Sequence, residues 1–125
     1  MRLSKKKLRT FLKTNSANSE LDQKPLLFWA LEQPNTVKIL LNAGADANIN
    51  IEVIKGTYVT PISMCKMMQR QLKQMSMASE KYALLSVYDS ARKTIENLKK
   101  TVFLLDYFGG VAGHYRNYIS LNIRE

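Results

Sequence analysis

Residues 37–48 constrain the fold more than any other part of this chain of 125 residues. Their sequence is Val-Lys-Ile-Leu-Leu-Asn-Ala-Gly-Ala-Asp-Ala-Asn, and the apolar residues are spaced as on one face of a short helix. Gly44 predicts the end of that helix, because glycine adopts a positive φ angle without steric penalty. Asp46 and Asn48 favour a tight turn through side-chain bonds to backbone amides. We therefore expect a helix over residues 37–43 that ends in a sharp turn.

Two further short helices are predicted before this stretch. Residues 4–13 have an apolar stripe, with Ser4 as an N-terminal cap and Asn15 as a left-handed stop. Residues 25–33 begin with a proline, which suits the first helical position, and the Pro-Asn pair that follows breaks this helix. Thr36 then caps the helix over residues 37–43.

Residues 49–60 predict a β-hairpin finger. Apolar and polar residues alternate along its first half, and Lys55-Gly56 turns the chain back. Thr60-Pro61 then supplies a cap and a first-turn proline for the next helix.

Two long helices follow the finger. Apolar residues recur every three or four positions over residues 61–76, and a second stripe is out of phase with the first, which predicts a break near residues 76–79. The second stripe predicts a helix over residues 80–108, roughly 40 Å long, that ends at a Gly-Gly pair. We expect the two helices to pack as antiparallel neighbours and to bury most of the second stripe. The stripe consists of Leu84, Tyr88, Ala91, Ile95, Leu98, Val102 and Leu105.

Several of these segments resemble the ankyrin repeat family. Residues 37–48 are similar to the second helix and exit turn of such a repeat, and Thr60-Pro61-Ile62-Ser63 is similar to the Thr-Pro-Leu-His opening of the next one. Residues 100–110 look like the matching second helix, after an insertion of about thirty residues. The resemblance implies an all-α fold, an ankyrin-like helical repeat stack of about two and a half repeats with an extended helical hairpin in the last repeat.

The resemblance also implies one domain built from four parts. These are an N-terminal cap half-repeat (1–23), a repeat with the hairpin finger (24–59), an extended repeat (60–112) and a tail (113–125) that is apolar enough to dock. Ankyrin repeats usually bind other proteins and do no chemistry. Small irregular members occur in bacteria, phages and viruses, which implies a protein–protein interaction module, such as an effector or inhibitor. In that family the finger lines the recognition face, so partner contacts are expected at Asn50, Glu52, Ile54, Lys55 and Tyr58.

The charge is strongly basic and unevenly distributed. The formal net charge is +9 and the isoelectric point is about 9.8, which favours an acidic protein partner or simply solvated helix faces. Candidate contacts are Lys5, Lys6, Lys7, Arg9, Lys66 and Arg70. Two alternatives stay open. One is nucleic-acid binding through the basic N-terminal helix and residues 92–100, and the other is self-assembly through the long stripe, so the chain is a monomer or a homodimer.

The residues that carry chemistry are sparse. Cys65 is the single cysteine and His114 the single histidine, and no spacing suits a metal or a phosphate, so we expect no enzyme, no metal and no cofactor. A lone thiol fits a reducing compartment, and we expect the cytoplasm of the producing cell or of an infected host. No apolar run is long enough for a membrane span. A methionine cluster predicts either core filling or an adaptable groove for a partner helix: Met64, Met67, Met68, Met75 and Met77.

Overall fold

The computed structural model describes residues 4–81 and 85–115, which form five helices and two small antiparallel sheets. The helices are α1 (Lys5–Leu12), α2 (Leu26–Trp29), α3 (Pro34–Asn42), α4 (Pro61–Lys81) and α5 (Leu85–Tyr107). The strands are β1 (Glu20–Leu21), β2 (Lys24–Pro25), β3 (Ile51–Ile54), β4 (Thr57–Val59) and β5 (His114–Tyr115). Strands β1 and β2 pair with each other, and the second sheet has the order β3-β4-β5.

The prediction of an all-α fold is wrong. The finger is a genuine antiparallel ladder, and the start of the tail adds a third strand, because Tyr58 and Val59 pair with Tyr115 and His114. A second small ladder forms at β1 and β2, where Asp22 and Gln23 turn the chain with positive φ angles of 52° and 65°. The chain is therefore a mixture of helices and small antiparallel sheets.

The described helices, α1 to α5, do not form a stack of repeats either. A stack needs successive helix pairs of similar length. Here α2 and α3 have 4 and 9 residues, whereas α4 and α5 have 21 and 23. The long insertion predicted before residue 100 therefore dominates the described part of the molecule.

The two predicted glycine stops share one geometry. Gly44 after α3 has φ 96°, which confirms its predicted role, and Gly109 after α5 has φ 88°. In both turns the next amide reaches back to a carbonyl five residues earlier, Ala45 to Leu40 at 3.0 Å and Gly110 to Leu105 at 2.7 Å. These bonds satisfy carbonyl groups that the helix ends would otherwise leave without a partner.

The caps were predicted correctly at two helix starts. Ser4 accepts a bond from the Lys7 amide, and Thr60 accepts one from the Ser63 amide, each at 3.5 Å. The predicted turn at Asp46 is also present, because the Asn48 amide donates to the Asp46 carboxylate at 2.9 Å.

Other predicted boundaries were wrong. Asn15 is no left-handed stop, since the described residues with positive φ other than glycine are Asp22 and Gln23, and its Nδ2 instead donates to the Phe11 carbonyl at 3.0 Å. The helix predicted over residues 25–33 shortens to α2. Its predicted breaker, Pro34, begins α3 instead, so Thr36 lies inside that helix and is buried.

The break predicted near residues 76–79 is absent, because α4 continues to Lys81. No glycine or proline lies in this segment, so nothing stops the backbone when the apolar stripe ends. The first long helix therefore extends beyond residue 76, where its apolar stripe ends.

The core lies where α5 packs against α3 and α4. The stripe residues Ala91, Leu98 and Leu105 are buried, as predicted, while Ile95 and Val102 are half-buried. The side chains of Leu84 and Tyr88 lie outside the described residues. Thr101, also fully buried, donates from Oγ1 to the Leu31 carbonyl at 2.7 Å, so it anchors the C-terminal half of α5 to the turn that follows α2. This packing fixes which face of α5 points to solvent.

Candidate functional site

A basic groove lies between α4 and α5, on the side of this helix pair that faces solvent. Its volume is about 570 Å³. Five of its side chains are basic and one is acidic, so the groove presents a concentrated positive charge. The lining residues are Lys66, Gln69, Arg70, Lys73, Ser76, Arg92, Ile95, Glu96 and Lys99.

The helical periodicity brings these basic residues together. On α4, Lys66, Arg70 and Lys73 are spaced by four and three residues, which places them on one face, whereas Cys65 on the core side is fully buried. On α5, Lys99 lies one residue after the fully buried Leu98 and is exposed. The helix packing that buries the apolar stripe therefore turns both basic faces towards the same groove.

Polar contacts fix the relative direction of the two helices. Thr60, which precedes α4, donates from Oγ1 to the Val111 carbonyl at 2.7 Å. The Gly113 amide donates to the Ser63 hydroxyl at 2.7 Å, and the Thr60 amide donates to the Gly113 carbonyl at 3.1 Å. Because the start of α4 contacts the chain that follows α5, the helices are antiparallel.

The predicted basic residues do not form one surface. Lys66 and Arg70 lie in the groove, whereas Lys5, Lys6, Lys7 and Arg9 are exposed on α1. A separate cavity joins Lys5 with Asn97 of α5. Because Asn97 and Lys99 are about 200° apart around the helix axis, α1 lies on the opposite side of α5 from the groove.

The finger offers exposed residues, as the family resemblance implied. Asn50, Glu52, Ile54 and Lys55 are exposed, and 72% of Ile54 is accessible to solvent. The Glu52 carboxylate has a structural contact, because it accepts a bond from the amide of Gly56 at 2.9 Å in the turn. Tyr58 is only half-exposed, since it lies on the central strand and pairs with Tyr115.

Several residues of the groove were not among the predicted contacts. These are Gln69, Lys73 and Ser76, whereas Arg92, Ile95, Glu96 and Lys99 lie within residues 92–100, which the sequence suggested only for nucleic-acid binding. The signal was present in the sequence as basic residues at helical spacing on both long segments. Each helix has polar residues on more than one face, so its sequence alone does not show which face meets the other helix. Only the packing of α4 on α5 shows that the basic residues of the two helices line one groove.

The single cysteine is unsuited to nucleophilic chemistry. Burial raises the pKa of the Cys65 thiol to about 12, so the reactive thiolate is scarce at neutral pH. The thiol packs within the hydrophobic core. The side chain of His114, the other residue considered for such chemistry, lies outside the described residues. Among the side chains that the structure describes, no three from His, Cys, Asp or Glu gather as a metal site would require.

Comparisons with protein-family models, with curated proteins and with solved structures find no match for this chain. Among the helices that the structure describes, none combines the length and the apolar character needed to cross a membrane.

Proposed function

We propose that this chain is a non-catalytic binding module that recognises an acidic protein surface through the groove between α4 and α5. The observation that carries the proposal is the lining of that groove, where five basic side chains surround one carboxylate, Glu96. A carboxylate-bearing partner gains from this field both in association rate and in orientation. The resemblance of residues 37–48 to ankyrin repeats supports the same class of function.

The arrangement of charge favours a protein over a nucleic acid. A phosphate backbone needs a continuous basic track. Here the basic residues of α1 and those of the groove lie on opposite sides of α5, and Glu96 interrupts the groove itself. Carboxylates of a protein partner can be placed individually between these charges. Self-assembly through the long stripe is disfavoured, because Ala91, Leu98 and Leu105 are already buried within the chain.

The proposed setting is the cytoplasm of the producing cell or of an infected host, where the partner would reside. The buried, protonated Cys65 thiol is compatible with such a reducing compartment.

The test compares two charge reversals of equal size. Lys66→Glu with Arg70→Glu changes the groove, and Lys5→Glu with Lys7→Glu changes α1; each pair lowers the formal net charge from +9 by four, to +5. The probe is a short fluorescent oligoglutamate peptide, measured by anisotropy at several salt concentrations. We expect the groove pair to weaken binding by about tenfold or more and the α1 pair to have a much smaller effect.

If the groove pair and the α1 pair of substitutions weakened peptide binding equally, the binding site would not be the groove. The change in net charge alone would then explain the weaker binding. A single-stranded oligonucleotide that binds the wild type more tightly than the peptide, with a steep salt dependence, would favour the nucleic-acid alternative.

A further inference from the structure

Two exposed apolar side chains follow the basic residues of the groove along the same faces of α4 and α5. Phe103 follows Lys99 by one helical turn on α5, and Met77 follows Lys73 by one turn on α4. Both side chains are unusually open, with 73% of Phe103 and 62% of Met77 accessible to solvent. Each of them supplies apolar surface next to the charged groove.

These two residues lie at opposite ends because the helices are antiparallel. Met77 is near the C-terminal end of α4, and Phe103 is near the C-terminal end of α5. Eleven residues separate Lys66 from Met77, and eleven separate Arg92 from Phe103. At 1.5 Å per residue each interval corresponds to about 16 Å. Because the end of α4 lies beside the start of α5, where Ser76 and Arg92 line the same groove, Met77 and Phe103 are about one such interval apart along the groove. The surface therefore has an apolar contact at each end and basic contacts between them.

We propose that the groove accepts an acidic amphipathic helix of the partner protein, with carboxylates against the basic centre and one apolar residue at each end. This inference rests on the proposed function and specifies the partner segment. An α-helix covers about 16 Å in eleven residues, and residues eleven apart lie within about 20° of the same face. Such a helix would present apolar side chains to Phe103 and Met77 and carboxylates to Lys66, Arg70, Lys73 and Lys99.

The residues around Phe103 favour an acidic helix over a nucleic acid as the ligand of the groove. Phe103 could stack on a base, but Asp106 is exposed one turn away on the same side of α5, and Glu96 lies in the groove. A phosphate backbone that follows α5 would pass both carboxylates. A helix also suits the floor of the groove, because Ile95 is half-buried there and offers apolar surface between the charges.

The test uses two acidic helical peptides of identical composition. In the first, two leucines are eleven positions apart; in the second, they are nine positions apart and lie on opposite faces. Binding of each to the full chain is measured by anisotropy and by calorimetry. We expect the first peptide to bind about tenfold more tightly than the second.

Variants of the chain then test whether Phe103 and Met77 cause the difference in affinity between the two peptides. Phe103→Ser and Met77→Ser should each reduce the advantage of the first peptide while leaving the second nearly unchanged. Phe11→Ser is the matched control, because Phe11 is an exposed phenylalanine on α1, which lies on the opposite side of α5 from the groove. A control that loses as much as Phe103→Ser would overturn the proposal. Circular dichroism of each variant checks that the fold is retained.

The outcomes separate this inference from the proposed function. If both peptides bind equally and Lys66→Glu weakens both, recognition of acidic protein stands and the helical occupant is wrong. If neither binds, both proposals fail. If a single-stranded oligonucleotide binds the chain more tightly than the first peptide and with a steep salt dependence, the groove is a nucleic-acid site. If the chain forms a homodimer that Phe103→Ser disperses, a second copy is the occupant.

Discussion

Asn48 accepts a hydrogen bond from the backbone amide of Val111 through its side-chain oxygen, at 2.8 Å, although the two residues are 63 positions apart. The Nδ2 of the same side chain donates to the Gly109 carbonyl at 3.0 Å. One amide side chain thereby links the turn after α3 to the turn after α5. Asn18 makes a similar bond, since its Oδ1 accepts from the Asp46 amide at 2.7 Å. These two asparagines connect parts of the chain that are distant in sequence.

The first prediction concerns Asn48. Asn48→Ala removes both bonds to the turn after α5, and we expect a loss of about 1–3 kcal/mol in the free energy of unfolding. Asn48→Asp keeps the acceptor but loses the donor, so its effect should be intermediate. Denaturant titration measures both, with Asn50→Ala as a control on an exposed asparagine two residues away. An Asn48→Ala variant as stable as the control would contradict this role.

The second prediction concerns Gly44. Gly44→Val should lower the free energy of unfolding by about 1–3 kcal/mol, because a branched side chain is strained at φ 96°. The strain lies in the backbone alone, since no atom beyond the two neighbouring residues lies within 4 Å of the position that a Cβ would take. Gly44→Asn should therefore be milder, as asparagine tolerates the left-handed region better. A thermal melt of Gly44→Val that matches the wild type would refute the assignment.

The third prediction concerns Thr101. Thr101→Val keeps the shape of this buried side chain but leaves the Leu31 carbonyl without its 2.7 Å donor. We expect a loss of about 1–3 kcal/mol, which is the desolvation cost of an unsatisfied buried group. Thr10→Val is a suitable comparison, because its hydroxyl bonds to Lys6 on the exposed face of α1. Equal stabilities of the two variants would show that the Thr101 bond contributes little.

The fourth prediction separates two positions of the long stripe. Leu98 is fully buried, so Leu98→Asp should abolish folding by placing an unpaired charge in the core. The sequence pattern alone predicts the same for Ile95→Asp, but Ile95 is half-buried at the groove. Ile95→Asp should therefore fold with reduced stability and bind oligoglutamate more weakly. Circular dichroism and anisotropy test this, and an unfolded Ile95→Asp protein would place this residue in the core.

The fifth prediction follows from the raised pKa of Cys65. The thiol stays protonated in the folded chain up to about pH 12, whereas in the unfolded chain it ionises above its ordinary value of 9.0. Since the unfolded state then binds fewer protons, the contribution of this group to stability falls by about 1.4 kcal/mol per pH unit in that window. The stability of the wild type relative to Cys65→Ala should decrease between pH 9 and pH 11 by denaturant titration. A constant difference would show that the folded thiol ionises normally.

The local elements of this chain were largely predictable because they depend on short-range physics. Gly44 stops a helix through its own φ preference, Thr60 caps one through its own hydroxyl, and the alternation around residue 52 predicts a hairpin. The helix boundaries that were predicted wrongly depend on competition between neighbouring segments of the chain. Pro34 could either break one helix or begin the next, and the surrounding chain decided for the second.

What the sequence determined by itself was therefore local: the helix stops, the caps, the finger and the basic faces of the two long helices. The tertiary structure decided what those parts do together. Pairing of His114–Tyr115 with β4 turned the finger into a three-stranded sheet, because backbone groups at a strand edge bind any extended segment that reaches them. Packing of α4 on α5 brought Lys66 and Lys99 to one groove and left Phe103 open, because burial of Leu98 and Leu105 fixes the rotation of α5. Sequence spacing specifies the faces of a helix, but only its packing partner selects which face meets solvent.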